Sequence, residues 1–251
     1  MHVPRIYTPQ ELKSGREIVL DTHASMHLLR VLRLKTGESL RVFDGCGHEF
    51  HAALSGSQKN LAVVTLADPW LSNPESPLNI HLGQGISRGE KMDYTIQKAV
   101  ELGVSKITPL FTQYSGVSLT EARIEKRLAH WQAVIINACE QSGRNILPTI
   151  EIPMTLAKWL SQRTESLKLM LQPDGDRQLH EFSAIAANVA LVVGPEGGFS
   201  VEESLSAKQA GFHTLSLGPR ILRTETAAPA AIALMQYLWG DFAPHEKNGE
   251  S

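Results

Sequence analysis

Two strand-to-glycine junctions stand close together in the last quarter of the chain, and they constrain its fold more than any other segment. The first reads Val189-Ala-Leu-Val-Val-Gly-Pro-Glu-Gly-Gly-Phe-Ser200 and the second Leu215-Ser-Leu-Gly-Pro-Arg-Ile-Leu-Arg-Thr-Glu-Thr226. Each begins with the short apolar run of a buried strand and breaks at Gly-Pro, where the chain turns and backbone amides become available. Glycines at 194, 197, 198 and 218 let the main chain approach a ligand without side-chain interference. Ser200 followed by Glu203 reads as a capping box, so the first loop opens a helix. Ordinary strand-to-helix connections also use Gly and Pro, but these loops carry more glycine than a short connection requires. Two such junctions in succession imply one ligand pocket.

The rest of the chain divides in two. Ile18–Leu20, Ser39–Phe43 and Asn60–Leu66 are short β-prone runs, and Met26, Leu28, Leu29 and Leu32 space out as the apolar face of a helix from His23 to Leu34. Pro69 to Pro77 is proline-rich and aperiodic, as a linker is. Beyond it, strands alternate with helices: Leu78–Leu82, Lys91–Leu102, Ile107–Phe111, Glu121–Cys139, Leu167–Leu171, Val189–Val193, Val201–Ala210, Phe212–Leu217 and Thr226–Trp239. Such alternation predicts an α/β domain, a largely parallel sheet covered by helices on both faces. The boundaries are 1–72 for a small β-rich domain and 73–243 for the α/β domain, with 244–251 a frayed polar tail.

Composition sets outer bounds. With 251 residues, 42% hydrophobic and 20% charged, the chain is an ordinary globular protein of two small domains or one large one. It has no apolar run of membrane-spanning length, and its start, with His2, Pro4 and Arg5, does not read as a secretory leader. Cys46 and Cys139 make no disulfide framework, and the expected location is the cytoplasm. The net charge of -2 gives no overall basicity, so the distribution of charge decides. Residues 22 to 41 hold Arg30, Arg33, Lys35 and Arg41 against one acid, Glu38. On a helix, Arg30 and Arg33 would share a face and could follow a phosphate backbone; the same pattern also suits the solvated side of an amphipathic helix. No aromatic stacking platform is evident in this region.

Three other motifs lead nowhere. Gly83-Gln-Gly85-Ile-Ser-Arg-Gly89 places its third glycine one position late for a dinucleotide fingerprint. Cys46, His48 and His51 lack a fourth ligand and a standard zinc spacing, so no metal is expected. No Gly-x-Ser-x-Gly anchors a hydrolase reading. Trp131 and Ile135 on the long helix are expected to pack against other helices or a partner subunit.

The motif set as a whole closely resembles that of the RsmE-type ribosomal RNA uridine-N3 methyltransferases, of the SPOUT class. The resemblance rests on Gly194–Ser200 and Leu217–Ala227, together with Arg88-Gly-Glu-Lys-Met-Asp93, Lys98-Ala-Val-Glu-Leu-Gly-Val104, Asn137-Ala-Cys-Glu-Gln-Ser-Gly-Arg144 and His27-Leu-Leu-Arg-Val-Leu-Arg33. It covers nearly the whole chain. It implies a PUA-like β-barrel binding RNA, followed by a SPOUT domain whose segment from Leu167 onward forms a trefoil knot, a topology that periodicity could not have shown. It further implies a homodimer that methylates uridine N3 in 16S ribosomal RNA, in the decoding region of the small subunit, with S-adenosylmethionine as donor. The rival readings are a methyltransferase of this class acting on another RNA or at ribose, and a non-catalytic RNA-binding protein.

The same resemblance implies a site. The donor would be held by Leu171, Gly194, Pro195, Glu196, Gly197, Gly198, Leu217, Gly218, Ile221, Leu222 and Ala227, and RNA by Arg5, Arg30, Arg33 and Lys35. A sulfonium methyl donor is already activated, so alignment carries much of the rate. Uracil N3 must lose its proton before it attacks, and this calls for a base or a stabilising cation. Arg223 is expected to hold a uracil oxygen or a phosphate and Glu225 to accept the proton. Glu225 also reads as a first-turn acid favoured by the helix dipole. Glu140 and Arg144 are second candidates, and either Arg144 or the amino-terminal patch would serve the neighbouring subunit's site.

Overall fold

The computed structural model describes residues 3–72, 74–116, 121–182 and 188–243; the tail expected at 244–251 lies outside the described residues. The chain divides into two compact units. One comprises Met1–Glu75 with Ile136–Leu147 and the other Ser76–Ile135 with Pro148–Ser251. A boundary drawn along the sequence could not show that Ile136–Leu147 belongs with the first unit, because helical periodicity does not say which core a helix end packs on.

The first unit is built on a five-stranded sheet: β1 (Arg5–Tyr7), β2 (Glu17–Val19), β3 (Ser39–Phe43), β4 (Glu49–Gln58) and β5 (Leu61–Pro69), in the order β1-β3-β4-β5-β2. Strands β3, β4 and β5 form an antiparallel meander, with β1 parallel to β3 and β2 antiparallel to β5. Alternate residues Ala62, Val64 and Leu66 of β5 enter a core with Ile6, Leu28, Leu40 and Leu54, the period-two pattern of a half-buried strand. Strand β4 carries Ala52, Ala53, Ser55 and Gly56, residues of low strand propensity, and is held by neighbours on both sides.

The helix expected at His23–Leu34 is instead α1 (Thr22–Met26), capped by the Asp21 side chain, followed by a π-turn at His27–Val31. The Leu32 N–H donates five residues back, to the His27 carbonyl at 2.9 Å. Leu28 alone of the expected apolar face is fully buried, while Met26 and Leu32 are exposed. Arg33 lies beyond the turn in the left-handed region with φ 55, so Arg30 and Arg33 do not share a regular helical face. Both are nevertheless exposed. The expected linker is also partly structured: Trp70 stacks under the Arg41 guanidinium at 4.7 Å and meets His51 edge-on.

The second unit carries β6 (Asn79–Gly85), β7 (Lys106–Phe111), β8 (Thr149–Ile150), β9 (Met154–Thr155), β10 (Leu167–Leu171), β11 (Asn188–Val193) and β12 (His213–Leu215). Their order is β12-β10-β11-β6-β7-β8, with β9 also on β7, and every pairing is parallel. Buried on both faces, β11 is apolar from Val189 to Val193. Residues of α4 (Leu156–Ser161) and α5 (Val201–Gln209) form one core with Met170, Ala190, Val192 and Phe212. The helices α2 (Lys91–Glu101) and α6 (Thr224–Trp239) pack together and bury Ile96, Ala99, Ala228 and Ile232. The long helix α3 (Glu121–Ser142) buries Trp131 and Ile135.

Candidate functional site

From β10 the chain goes to β11 on one side, and from β11 through α5 to β12 on the other side of β10. The second connection thus returns past β10, and the loops after β10, β11 and β12 gather at the carboxyl ends of the strands, the end at which open α/β sheets bind ligands. The structure has a cavity of about 460 Å³ here, lined by the ends of β10 and β11 and the loops that follow β10, β11 and β12. Its size is that of a small-molecule site. All eleven residues expected to hold the donor line it: Leu171, Gly194, Pro195, Glu196, Gly197, Gly198, Leu217, Gly218, Ile221, Leu222 and Ala227. Lys91, Gln172, Phe199, Arg220 and Thr224 also line it and were not singled out by sequence.

The walls combine apolar side chains with bare backbone. Gly198 and Gly218 adopt φ of 69° and 87°, and a Cβ on either would meet nothing within 4 Å. These two places need glycine and face open space. Ile221 is 82% exposed, an apolar side chain with one flank uncovered. The Ser200–Glu203 capping box is present, Ser200 Oγ accepting from the Glu203 N–H at 3.1 Å and Glu203 returning to the Ser200 N–H at 2.9 Å. It fixes the exit of the first loop.

Charge is arranged around the cavity. Lys91 Nζ lies 3.2 Å from Glu196 Oε1, which also accepts from the Arg88 N–H at 3.2 Å. Partial burial opposes ionisation of Glu196, but hydrogen bonds, including those from Lys91 and Arg88, prevail and hold its carboxyl below the ordinary range. Arg223 and Glu225 both line the cavity, at the start of α6. Arg223 is the N-cap, exposed, and Glu225 lies in the first turn. Glu225 Oε2 is buried and has no hydrogen-bond partner. An enclosed carboxylate oxygen without a partner is unusual in a folded protein and marks Glu225 as an acid of the cavity wall whose hydrogen bonding is incomplete.

The other candidates lie elsewhere. Glu140 and Arg144 belong to the first unit and do not line the cavity. Glu140 Oε1 accepts from the Tyr7 N–H at 3.0 Å, and burial pushes its carboxyl above the ordinary range. Arg144, 6% exposed, is ion-paired to Glu75 at 2.6 Å. Both side chains are engaged within the first unit. Arg5, expected to contact RNA, is corrected by its burial: it is 5% exposed and bidentate to Glu49 at 2.9 and 3.1 Å. Arg30, Arg33 and Lys35 are exposed. Gly83 and Gly85, part of the dismissed glycine motif, sit inside β6. Among the described residues no group of three or more His, Cys, Asp or Glu is placed to hold a metal ion, and no helix is long and apolar enough to cross a membrane.

Comparison with known proteins places this geometry in a class. Residues 74–236 match the RNA methyltransferase domain and residues 20–67 the RNA methyltransferase PUA domain. The chain belongs to this RNA methyltransferase family. A relative from Buchnera aphidicola subsp. Schizaphis graminum, named ribosomal RNA small subunit methyltransferase E, is 37% identical over 242 residues, covering 96% of this chain and 98% of that protein. Two solved structures, each 41% identical and covering 96% of this chain and 100% of the other, are similar throughout. One is a methyltransferase from Legionella pneumophila in complex with the cofactor SAM, with a TM-score of 0.93. The other is a ribosomal RNA small subunit methyltransferase E from Neisseria gonorrhoeae bound to S-adenosyl methionine, with a TM-score of 0.90.

Proposed function

We propose that the protein transfers the methyl group of S-adenosylmethionine to N3 of a uridine in small-subunit ribosomal RNA, acting in the cytoplasm as a homodimer with a knotted second domain. The observation that carries this reading is the cavity: two glycine loops with open space at Gly198 and Gly218, and an unpartnered carboxylate oxygen of Glu225 on its wall. The names and bound ligands of its relatives agree with it. The adjacency of the loops after β11 and β12 around one cavity supports the knotted path. Exposed Leu234, Tyr237 and Leu238 on α6 support a covering partner subunit.

The donor supplies an activated methyl group. The residues here hold it and manage the acceptor: backbone at Gly194–Gly198 and Gly218 takes the polar edges, and Leu171, Leu217, Ile221, Leu222 and Ala227 cover the apolar surface. Arg223 holds the uracil oxygen on which charge develops, a contact that strengthens in the transition state. The Glu225 carboxylate accepts the N3 proton as the nitrogen lone pair attacks the methyl carbon, the carbon–sulfur bond of the sulfonium breaks and S-adenosylhomocysteine leaves as a neutral thioether. Arg30, Arg33 and Lys35 bind backbone phosphates.

The test is nucleoside mass spectrometry of small-subunit ribosomal RNA from a strain lacking the protein. Loss of 3-methyluridine, restored by the wild-type gene, is the expected result. Loss of a different mark would move the acceptor to another position, and an unchanged profile would leave an RNA-binding protein without this reaction.

A further inference from the structure

Gln84 is the penultimate residue of β6 and has no exposed surface. Its Nε2 lies 3.0 Å from Thr224 Oγ1, 3.1 Å from the Gly85 carbonyl and 3.4 Å from the Gly194 carbonyl. Thr224 Oγ1 in turn donates to the Gly194 carbonyl at 2.6 Å. That hydroxyl has one proton, so it faces Gln84 as an acceptor, and both carbonyls are acceptors as well. The amide must therefore present its NH2 group to all three. Its Oε1 is left buried without a partner, a condition few side chains in a folded protein retain. An apolar residue would fit the surrounding strand without that penalty, so the glutamine is there for what its NH2 group joins.

It joins the two halves of the site. Gly194 begins the first loop; Thr224 stands between Arg223 and Glu225 and is buried. There is little slack at this junction, because a Cβ on Gly85 would come within 2.5 Å of Pro195 Cδ. We propose that Gln84 and Thr224 are positioning residues for methyl transfer, their hydrogen bonds to Gly194 setting the distance between the donor loop and the turn that carries Arg223 and Glu225. The inference rests on the reading that these segments hold donor and acceptor. Neither residue needs to touch a reacting atom. A misplacement of about 1 Å is enough to slow an aligned transfer on the order of 100-fold.

The experiment compares Thr224→Val, which keeps the shape and loses the hydroxyl, with Thr224→Ser, which keeps the hydroxyl, and with Gln84→Leu. Calorimetry gives the dissociation constant for S-adenosylmethionine, and single-turnover rates are measured on small ribosomal subunits across pH. Thr224→Val is expected to bind the donor within about threefold of wild type and react on the order of 30- to 100-fold more slowly, with the shape of the pH profile unchanged. Thr224→Ser should return within about threefold of wild type, and Gln84→Leu should follow Thr224→Val. A wild-type rate in Thr224→Val and Gln84→Leu, a Thr224→Ser enzyme as slow as Thr224→Val, or donor binding that weakens as much as the rate falls would each overturn the proposal. If Thr224→Val does not fold, Gln84→Leu decides by the same criteria. A wild-type protein that neither binds the donor nor methylates would refute the functional reading, and the inference with it; an active wild type with indifferent variants refutes the inference alone.

Discussion

Arg5 spends its hydrogen-bonding capacity inside the first unit. Its Nε donates to Glu49 Oε1, Nη1 to the carbonyls of Cys139 and Glu140, and Nη2 to Glu49 Oε2 and the Arg144 carbonyl. That uses a donor for each N–H of the guanidinium and leaves none for a phosphate. Arg5→Met should therefore lower unfolding free energy by about 3 kcal/mol, because the buried Glu49 carboxylate loses its bidentate partner and keeps only the Arg41 guanidinium, 3.3 Å away. Denaturant unfolding checks this, and a loss under about 1 kcal/mol would contradict the assignment. At the other site, Arg223→Ala should bind S-adenosylmethionine nearly normally and turn over at least about 100-fold more slowly. Glu225→Gln should be slow near neutral pH and recover partly as pH rises, when solvent takes the imide proton. Single-turnover rates over a pH series test both; an unaltered rate and profile for Glu225→Gln would make Glu225 a helix-start acid and nothing more. The residues lining the cavity of the second unit were legible in the sequence in two ways, the glycines and prolines from the two junctions and Leu171, Leu217, Ile221, Leu222 and Ala227 from the family resemblance. Arg5 and Gln84 were not, since a buried charge or amide in a strand has no periodic signature and only tertiary contacts reveal its partner.

The elements were legible where their pattern is local. Strands β3 and β10 fall where the apolar runs predict, and the Ser200–Glu203 capping box starts α5 as its spacing predicts. Strand β4 and the π-turn were not, because sheet pairing overrides propensity in one and a change of helical register sets the other. Several elements of the second unit are tied by His81 of β6. Arg163 donates to its Nδ1, so the ring proton sits on Nε2, 2.7 Å from Thr108 Oγ1, whose hydroxyl in turn donates a hydrogen bond to Glu151 Oε2 at 2.7 Å. Trp159 Nε1, 3.3 Å from the same Nε2, then makes an edge-on ring contact rather than a hydrogen bond. Burial first, and the Arg163 charge second, push the His81 pKa down to about 4. The folded state thus binds fewer protons here than the unfolded chain. Stability should be complete above about pH 6.5 and decline as pH falls toward 4, by up to about 3 kcal/mol. Urea unfolding at several pH values should show this decline in the wild type and a flatter profile in His81→Gln; equal slopes would remove His81 from the account.

At the scale of the whole molecule, an RNA methyltransferase whose proposed acceptor is small-subunit ribosomal RNA carries a net charge of only -2. Binding must then rest on local cations, and Arg30, Arg33 and Lys35 are exposed in the first unit. The double variant Arg30→Ala, Arg33→Ala should weaken RNA binding and make the slope of log affinity against log salt shallower by roughly 1.4 to 1.8, two phosphate contacts' worth of released counterions. Fluorescence anisotropy with a ribosomal RNA fragment checks it, and an unchanged slope would place the phosphate contacts elsewhere. Calorimetric titration of S-adenosylmethionine into wild type and Gly198→Val decides whether the two glycine loops of the second unit form the methyl-donor site. The wild type should bind stoichiometrically and the variant should fold but lose most of its affinity, because valine at a φ of 69° is strained and its side chain would project into the open space beside the loop. A variant with wild-type circular dichroism and an unchanged dissociation constant would contradict it.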